Sequence, residues 1–180
     1  MLAVFVLLQS LFKTFEVFDV SMEPTYKAGD YILVNEIAYA RQEPARGDVV
    51  ALYSPDISAR LSENTSLPTN ALVFIKRIIG VGGDTVNIKD GKVFVNGCPI
   101  YEPYISEPCD YDCVSLTIPK GKYFVLGDDR NHSYDSHVGW LASQEDIIGM
   151  VCLRFWHTES PDSTKNKPGT PAWEIPGIKP

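Results

Sequence analysis

The run 85-TVNIKDGKVFVNG-97 limits the fold more than any other stretch of the chain. Two runs of alternating character flank Asp90-Gly91, the pair that a type I′ turn prefers because both of its central residues need positive φ. The run therefore predicts a β-hairpin. The same texture extends along the chain, as short β-branched runs broken by Gly-Asp and Asn-Gly turns. GDYILVNEIAY, GDVVALY, VFIKRIIGV and GKYFVLGDDR each read as a strand, and SQEDIIGMVCLRFW begins as a short helix and closes as a strand. The expected fold is mostly β.

Between these runs the sequence is polar. Residues 54–71 are rich in Ser and Pro and read as an exposed loop, and residues 98–119 read as loop with Pro punctuation. The tail from Thr158 carries the composition of a disordered segment. At the other end, MLAVFVLLQSLFKTF has no charge before Lys13. That apolar run falls short of the roughly 20 residues needed to cross a bilayer, although helical periodicity continues through Phe15 and Phe18. No basic segment precedes it and no small-residue cleavage site follows, so it reads as a retained membrane anchor. A buried N-terminal helix or strand is the alternative. The resulting division is an anchor helix at 1–16, a β-domain at 17–157 with a small hairpin-bearing insertion at 86–122, and a disordered tail at 158–180.

A net charge of −7 and a pI near 4.9 argue against nucleic acid as a partner, since phosphate binding needs basic surface. The cysteines are Cys98, Cys109, Cys113 and Cys152. Cys109 and Cys113 stand close enough to bridge if the chain folds back, but free thiols fit equally well. No CxxC accompanies them, and His132, His137 and His157 lack ligand spacing, so no metal is expected.

Two residues suggest chemistry. Ser21 lies in the turn-like run 21-SMEPT-25, where Pro24 fixes φ just past the serine. An N-cap or plain turn role is the ordinary alternative. In the strand 73-VFIKRII-79, a period of two places Lys76 with Phe74 and Ile78, and Arg77 with Val73, Ile75 and Ile79. Both faces are apolar, so at least one cation sits in apolar surroundings. Burial lowers a lysine pKa and makes it a usable general base, able to activate a serine hydroxyl without histidine. A Lys-Arg pair that snorkels to solvent is the alternative. No GxSxG elbow, histidine triad signature, phosphate loop or EF-hand spacing competes, and Asp128, Asp129 and Asp135 read as turn carboxylates.

Three segments occur in a fixed order: SMEPT at 21–25, FIKRIIG at 74–80 and GDDRNHSYDS at 127–136, with an apolar N-terminus ahead of them. Together they resemble the type I signal peptidase family, membrane-anchored Ser/Lys endoproteases that release exported proteins. The resemblance covers residues 10–156. It implies a signal-peptidase-like mixed β-barrel or sandwich with an N-terminal apolar helix and few short helices. It implies Ser21 as nucleophile, Lys76 as general base and the Ser21 backbone N–H as an oxyanion donor. Ser133 matches the serine that hydrogen-bonds and orients the lysine, and Asp135 and Arg130 match charged residues bracing that loop. Phe15, Val17, Met22 and Ile75 match the substrate-contacting positions, where shallow apolar pockets take small side chains. The implied partners are precursor proteins bearing signal peptides, cut after an Ala-X-Ala site, and the lipid bilayer; no cofactor is implied. The catalytic domain is expected on the extracytoplasmic side of a single-pass membrane protein.

The sequence departs from the family pattern in places. Asp19 stands two residues before the nucleophile, where many members carry Ser or Gly. A serine there can donate to the oxyanion, whereas an ionised Asp repels it; a side chain pointing away would avoid the conflict. Asp129 stands where Asn is common, and His137 where Arg is common. Three rivals remain at this point: a self-cleaving repressor-type Ser/Lys protease, a membrane-tethered β-domain that binds extended peptides without cutting, and a soluble Ser/Lys processing enzyme.

Overall fold

The computed structural model describes residues 11–54 and 73–158. Within them lie eleven strands: β1 Phe12–Glu16, β2 Asp30–Asn35, β3 Val49–Tyr53, β4 Val73–Val81, β5 Thr85–Lys89, β6 Lys92–Val95, β7 Cys98–Pro99, β8 Cys113–Thr117, β9 Lys122–Leu126, β10 Ala142–Ser143 and β11 Ile147–His157. Three single 3₁₀ turns, Arg130–His132, Ser136–Val138 and Gln144–Asp146, are the helical elements among the described residues. The expected mostly β fold is present. Every described pairing is antiparallel.

The strands form a seven-stranded sheet in the order β1-β2-β11-β3-β4-β9-β10 and a four-stranded sheet in the order β7-β6-β5-β8. Strand β11 pairs with both β2 and β3 and is bulged against each. Such bulges bend a strand and raise its twist. The large sheet divides the apolar side chains into two groups. Val17, Met22, Ile32, Val34, Val49, Ala51, Ile75 and Val151 pack together, and Val50, Leu52, Ile78, Tyr123, Val125 and Ala142 form the other group. A third cluster joins Ile79, Phe124 and Leu126 of the large sheet to Val86, Ile88, Val93 and Val95 of the small one.

The hairpin forms where its turn chemistry requires. Lys89 pairs with Lys92 across Asp90 at φ 51° and Gly91 at φ 74°, both in the left-handed region. Elsewhere tertiary pairing overrides local pattern. Residues 12–16, expected at the end of a helix, form an edge strand instead, because β2 offers its free edge and β1 pairs with it from Phe12–Asn35 to Glu16–Tyr31. Residues 1–10, the rest of the expected helix, lie outside the described residues. No helix among the described residues is long and apolar enough to cross a membrane.

The stretch expected as loop at 98–119 also contains β7 and β8. β8 lies on the open edge of β5 and is mostly exposed, so burial leaves little pattern in its sequence. Of the expected loop at 54–71, Ser54 is buried and residues 55–71 lie outside the described residues. Thr158 is anchored by its N–H to the Gly29 carbonyl at 2.9 Å; the remainder of the expected tail, 159–180, is likewise outside them. All four cysteines are free thiols.

Candidate active site

The SMEPT run folds as two successive turns. Glu23 N–H donates to the Val20 carbonyl at 2.9 Å, and Tyr26 N–H donates to Met22 at 2.9 Å. Met22 is fully enclosed in the cluster with Val17 and Ile75, so its side chain pins the turn while the neighbouring Ser21 hydroxyl faces the lysine strand. The Ser21 carbonyl accepts the Asp129 N–H at 3.0 Å, which ties this turn to the GDDR loop. The carbonyl side of the serine is therefore fixed.

Lys76 lies in the middle of β4, paired in register with Val50 of β3. It is 2% exposed, and its Nζ is 2.6 Å from Ser21 Oγ. The Phe74 ring centroid lies 5.3 Å from the amine. Burial holds the Lys76 pKa below the usual lysine range, against the opposing charges of Asp19, Asp135 and Asp128. A neutral amine in hydrogen-bond contact with a hydroxyl is the arrangement that general-base activation needs.

The neighbouring Arg77 takes a different course. Its Nε and terminal nitrogen bind the two carboxylate oxygens of Asp128, at 2.8 and 2.6 Å. Asp128 also accepts from the Thr25 hydroxyl. The guanidinium lies 4.0 Å from the Tyr104 ring centroid. Of the two adjacent basic residues, Arg77 is thus neutralised by a carboxylate, while Lys76 has the serine hydroxyl as its hydrogen-bond partner.

Arg130 and Asp135 lie behind the dyad and grip one peptide segment. Asp135 Oδ2 accepts from Gly127 N–H at 2.8 Å, and Arg130 Nε donates to the Gly127 carbonyl at 3.0 Å. Arg130 also pairs with Glu102 at 2.6 Å, both side chains being buried. His137 Nδ1 meets Asp135 Oδ1 at 2.7 Å and its ring stacks on Tyr111. Asp129 holds His132, and that hydrogen bond raises the His132 pKa. Ser133 packs against Gly127 beside the Ser21 carbonyl, as its contacts to the Gly127 Cβ direction require, and its hydroxyl oxygen is buried without a hydrogen-bond partner.

Val17, Met22 and Ile75 are buried in one cluster with Phe15 at its margin. These side chains belong to the core beneath the Ser21 turn, Met22 wholly enclosed in it. Asp19 does not turn away: its Oδ1 accepts both the Ser21 N–H at 3.1 Å and the Ser21 hydroxyl at 2.9 Å.

Sequence reasoning missed the structural roles of Arg77, Asp128 and Thr25, and of Glu102 and Tyr104 in the segment read as loop. One signal was present. Arg77 shares a strand face with apolar residues and demands a buried carboxylate somewhere, but nothing local names Asp128, 51 residues away.

Comparison with known proteins gives a consistent result. The family described as "Signal peptidase, peptidase S26" matches residues 1–156. Signal peptidase I of Leptolyngbya laminosa is 40% identical over 136 residues, which is 76% of this chain and 64% of that protein. Probable signal peptidase I-2 of Synechocystis is 35% identical, covering 89% of this chain and 73% of that protein. Signal peptidase IB of Staphylococcus aureus is 34% identical, covering 81% of this chain and 82% of its own. The chain thus spans just under two thirds of the first of these relatives.

Proposed function

The chain belongs to the signal peptidase family of serine endopeptidases, peptidase S26, and from that premise we propose that Ser21 and Lys76 are its catalytic dyad, cutting signal peptides from translocated precursors after a small residue. One observation carries this reading: an enclosed amine 2.6 Å from a serine hydroxyl.

The chemistry follows from that contact. Ser21 Oγ attacks the scissile carbonyl carbon while its proton passes to neutral Lys76. The Oγ–C bond forms, the carbonyl π pair moves onto oxygen, and preorganised donors such as the Ser21 N–H stabilise the oxyanion. Collapse breaks the C–N bond, and the leaving amine of the mature protein takes the proton from Lys76. An ester joins Ser21 to the signal peptide. Water then attacks this ester, giving its proton to Lys76, and the second collapse returns that proton to Ser21 Oγ. No proton or electron is left over, and no cofactor enters.

Ser133, with an unpartnered hydroxyl beside Gly127, is suited to receive a hydrogen bond from the lysine during the cycle. Asp135 and Arg130 position the Gly127 segment. Phe15, partly exposed at the margin of the cluster, with Val17 and Ile75 would bound the site for small substrate side chains, while the enclosed Met22, expected among the substrate contacts, supports them from within the core. An extended precursor adding to exposed strand backbone near Val17 and Ile75 would present its scissile bond to Ser21. An anchor through the apolar N-terminal run, with β1 beginning at Phe12, would leave the β-domain on the extracytoplasmic side that the family resemblance implies.

A reading as a peptide-binding domain that no longer cuts is favoured by one contact, the Asp19 carboxylate on the Ser21 N–H. One experiment decides between them. Detergent-solubilised protein is incubated with a synthetic precursor whose signal ends in Ala-X-Ala. Cleavage after the second Ala by the wild type, lost in Ser21→Ala and Lys76→Ala, is expected. Equal cleavage by either variant removes the mechanism, and binding without cleavage by the wild type supports the rival.

A further inference from the structure

Asp19 engages both groups of Ser21 on which the proposed chemistry depends. The backbone N–H that would donate to the oxyanion instead donates to Asp19 Oδ1 at 3.1 Å, and the hydroxyl proton that would pass to Lys76 is directed at the same oxygen at 2.9 Å. A carboxylate accepting from the N–H two residues on is also an ordinary Asx turn, and turn-building accounts for the first bond. It does not account for the second. Nor does a turn need a negative charge where negative charge must later develop.

We infer that Asp19 is an internal plug of the oxyanion position, one that a bound precursor must displace before Ser21 can react. This rests on the reading of Ser21 as nucleophile. A single N–H cannot serve two anionic oxygens, and repulsion between them grows in a water-poor site. The side chain of Asp19 is partly exposed, so rotation outward leads to water and not into the core.

Displacement has a consequence for specificity. Only substrate whose contacts along the chain supply enough binding energy can drive the plug out, because remote binding energy is what offsets rearrangement at the reacting centre. A full-length precursor makes those contacts and a short peptide does not. The plug thus suppresses cleavage of short or adventitious Ala-X-Ala sequences. Asp19 is in this sense a specificity-determining residue and not a passive departure.

The test compares wild type, Asp19→Ser and Asp19→Asn in detergent, with a short Ala-X-Ala peptide and a full-length precursor as substrates. Asparagine keeps the Asx-turn acceptor and the side-chain shape but not the charge; serine removes the plug and offers a donor. On the short peptide, kcat is expected to rise on the order of tenfold or more in Asp19→Ser, with KM little changed and a smaller rise in Asp19→Asn. On the full-length precursor the gain shrinks. A peptide boronic acid, which forms an anionic tetrahedral adduct on Ser21, should bind more tightly by the same factor as kcat rises.

Thermal melting establishes that the variants fold, and Asp19→Asn carries the test alone if Asp19→Ser does not. A folded variant whose kcat and boronate affinity are unchanged or lower overturns the plug, leaving Asp19 a turn-builder. In that outcome the wild type still cuts in a Ser21-dependent way. If wild type and both variants lack Ser21-dependent cleavage, the reading of the site fails and takes the plug with it.

Discussion

Arg77 and Asp128 meet through two parallel hydrogen bonds, at 2.8 and 2.6 Å, in an ion pair whose carboxylate is wholly enclosed and whose guanidinium is only 12% exposed. The pair joins the strand that carries the lysine to the loop that follows Gly127. Thr25 adds the nucleophile turn to the same carboxylate. Three chain segments that are remote in sequence therefore converge on one anion next to the dyad.

Removing that anion leaves a buried guanidinium unpaired. Asp128→Ala is expected to cost about 3–5 kcal/mol of stability, measured by urea denaturation. With Asp128 in place, Arg77→Lys should also destabilise, because an ammonium cannot make the two-point contact. A loss below about 1 kcal/mol in Asp128→Ala, the range of exposed pairs, would show that the pair is of no structural consequence.

The pH dependence of cleavage follows from Lys76. A general base works only when neutral, so activity must fall as pH drops through the pKa of the lysine. Burial lowers that pKa from the ordinary lysine value, while Asp19, Asp135 and Asp128 pull it upward. The acid limb of kcat/KM is therefore expected below the pH at which a free lysine titrates. Asp19→Asn, which removes one of the opposing charges, should move that limb to lower pH. A limb that stays fixed in this variant would detach it from the lysine.

The same shift has a sign for stability. The folded-state pKa of Lys76 lies below its unfolded value, so the unfolded chain binds the proton more tightly and folding is penalised at neutral pH. The stability linked to this group is fully present above the unfolded pKa, near 10.5, and is lost as pH falls through the folded pKa. Lys76→Met, of similar length and without charge, is expected to be inactive yet more stable at pH 7, by on the order of 1 kcal/mol. Chemical denaturation at pH 7 and pH 10 should show the gain shrinking at the higher pH. Destabilisation at pH 7 would mean that the amine is better solvated than its burial indicates.

These features were unequally legible in the sequence. The hairpin at Asp90-Gly91 was plain because its turn chemistry is local. Lys76 was half visible: the strand period put a cation among apolar side chains, and three ordered motifs supplied Ser21 as its partner. The strand at Phe12–Glu16 was not visible, because its reason for existing is the free edge of β2, which no local pattern announces. Glu102 and Tyr104 are loop, as the sequence reads, but nothing local names Arg130 and Arg77 as the cations they close over. The Asp19 contact lay between these cases. Its chemistry raised the conflict at once, but only the fold brings the carboxylate onto the nucleophile.

Ser133 offers a separation of stability from chemistry. Its hydroxyl oxygen is buried with no partner, and such a group costs free energy to enclose. Ser133→Ala should therefore leave stability unchanged or raise it slightly, unlike the usual loss of a buried hydrogen bond. If the hydroxyl orients Lys76 during turnover, kcat falls roughly tenfold or more with KM little changed. Wild-type kcat in this variant would remove Ser133 from the reaction.

Gly127 links the brace to the nucleophile through space alone. Asp135 holds its N–H and Arg130 its carbonyl, so the residue cannot shift. A Cβ built on it would stand 2.3 Å from Ser133 Oγ and 2.4 Å from the Ser21 carbonyl oxygen, inside any tolerable contact. The serine hydroxyl can rotate, but the Ser21 carbonyl is fixed by Asp129 N–H at 3.0 Å and sits on the nucleophile's own backbone. Gly127→Ala must then displace the Ser21 backbone and disturb the Ser21–Lys76 contact. Displacement of a catalytic group by about 1 Å costs on the order of 100-fold in rate. The variant is expected to lose activity to that extent with a stability loss of about 1–3 kcal/mol, the usual range for overpacking. Retained melting temperature with lost cleavage would place the effect on the dyad geometry, whereas full activity would show that the turn has slack which these close contacts do not suggest.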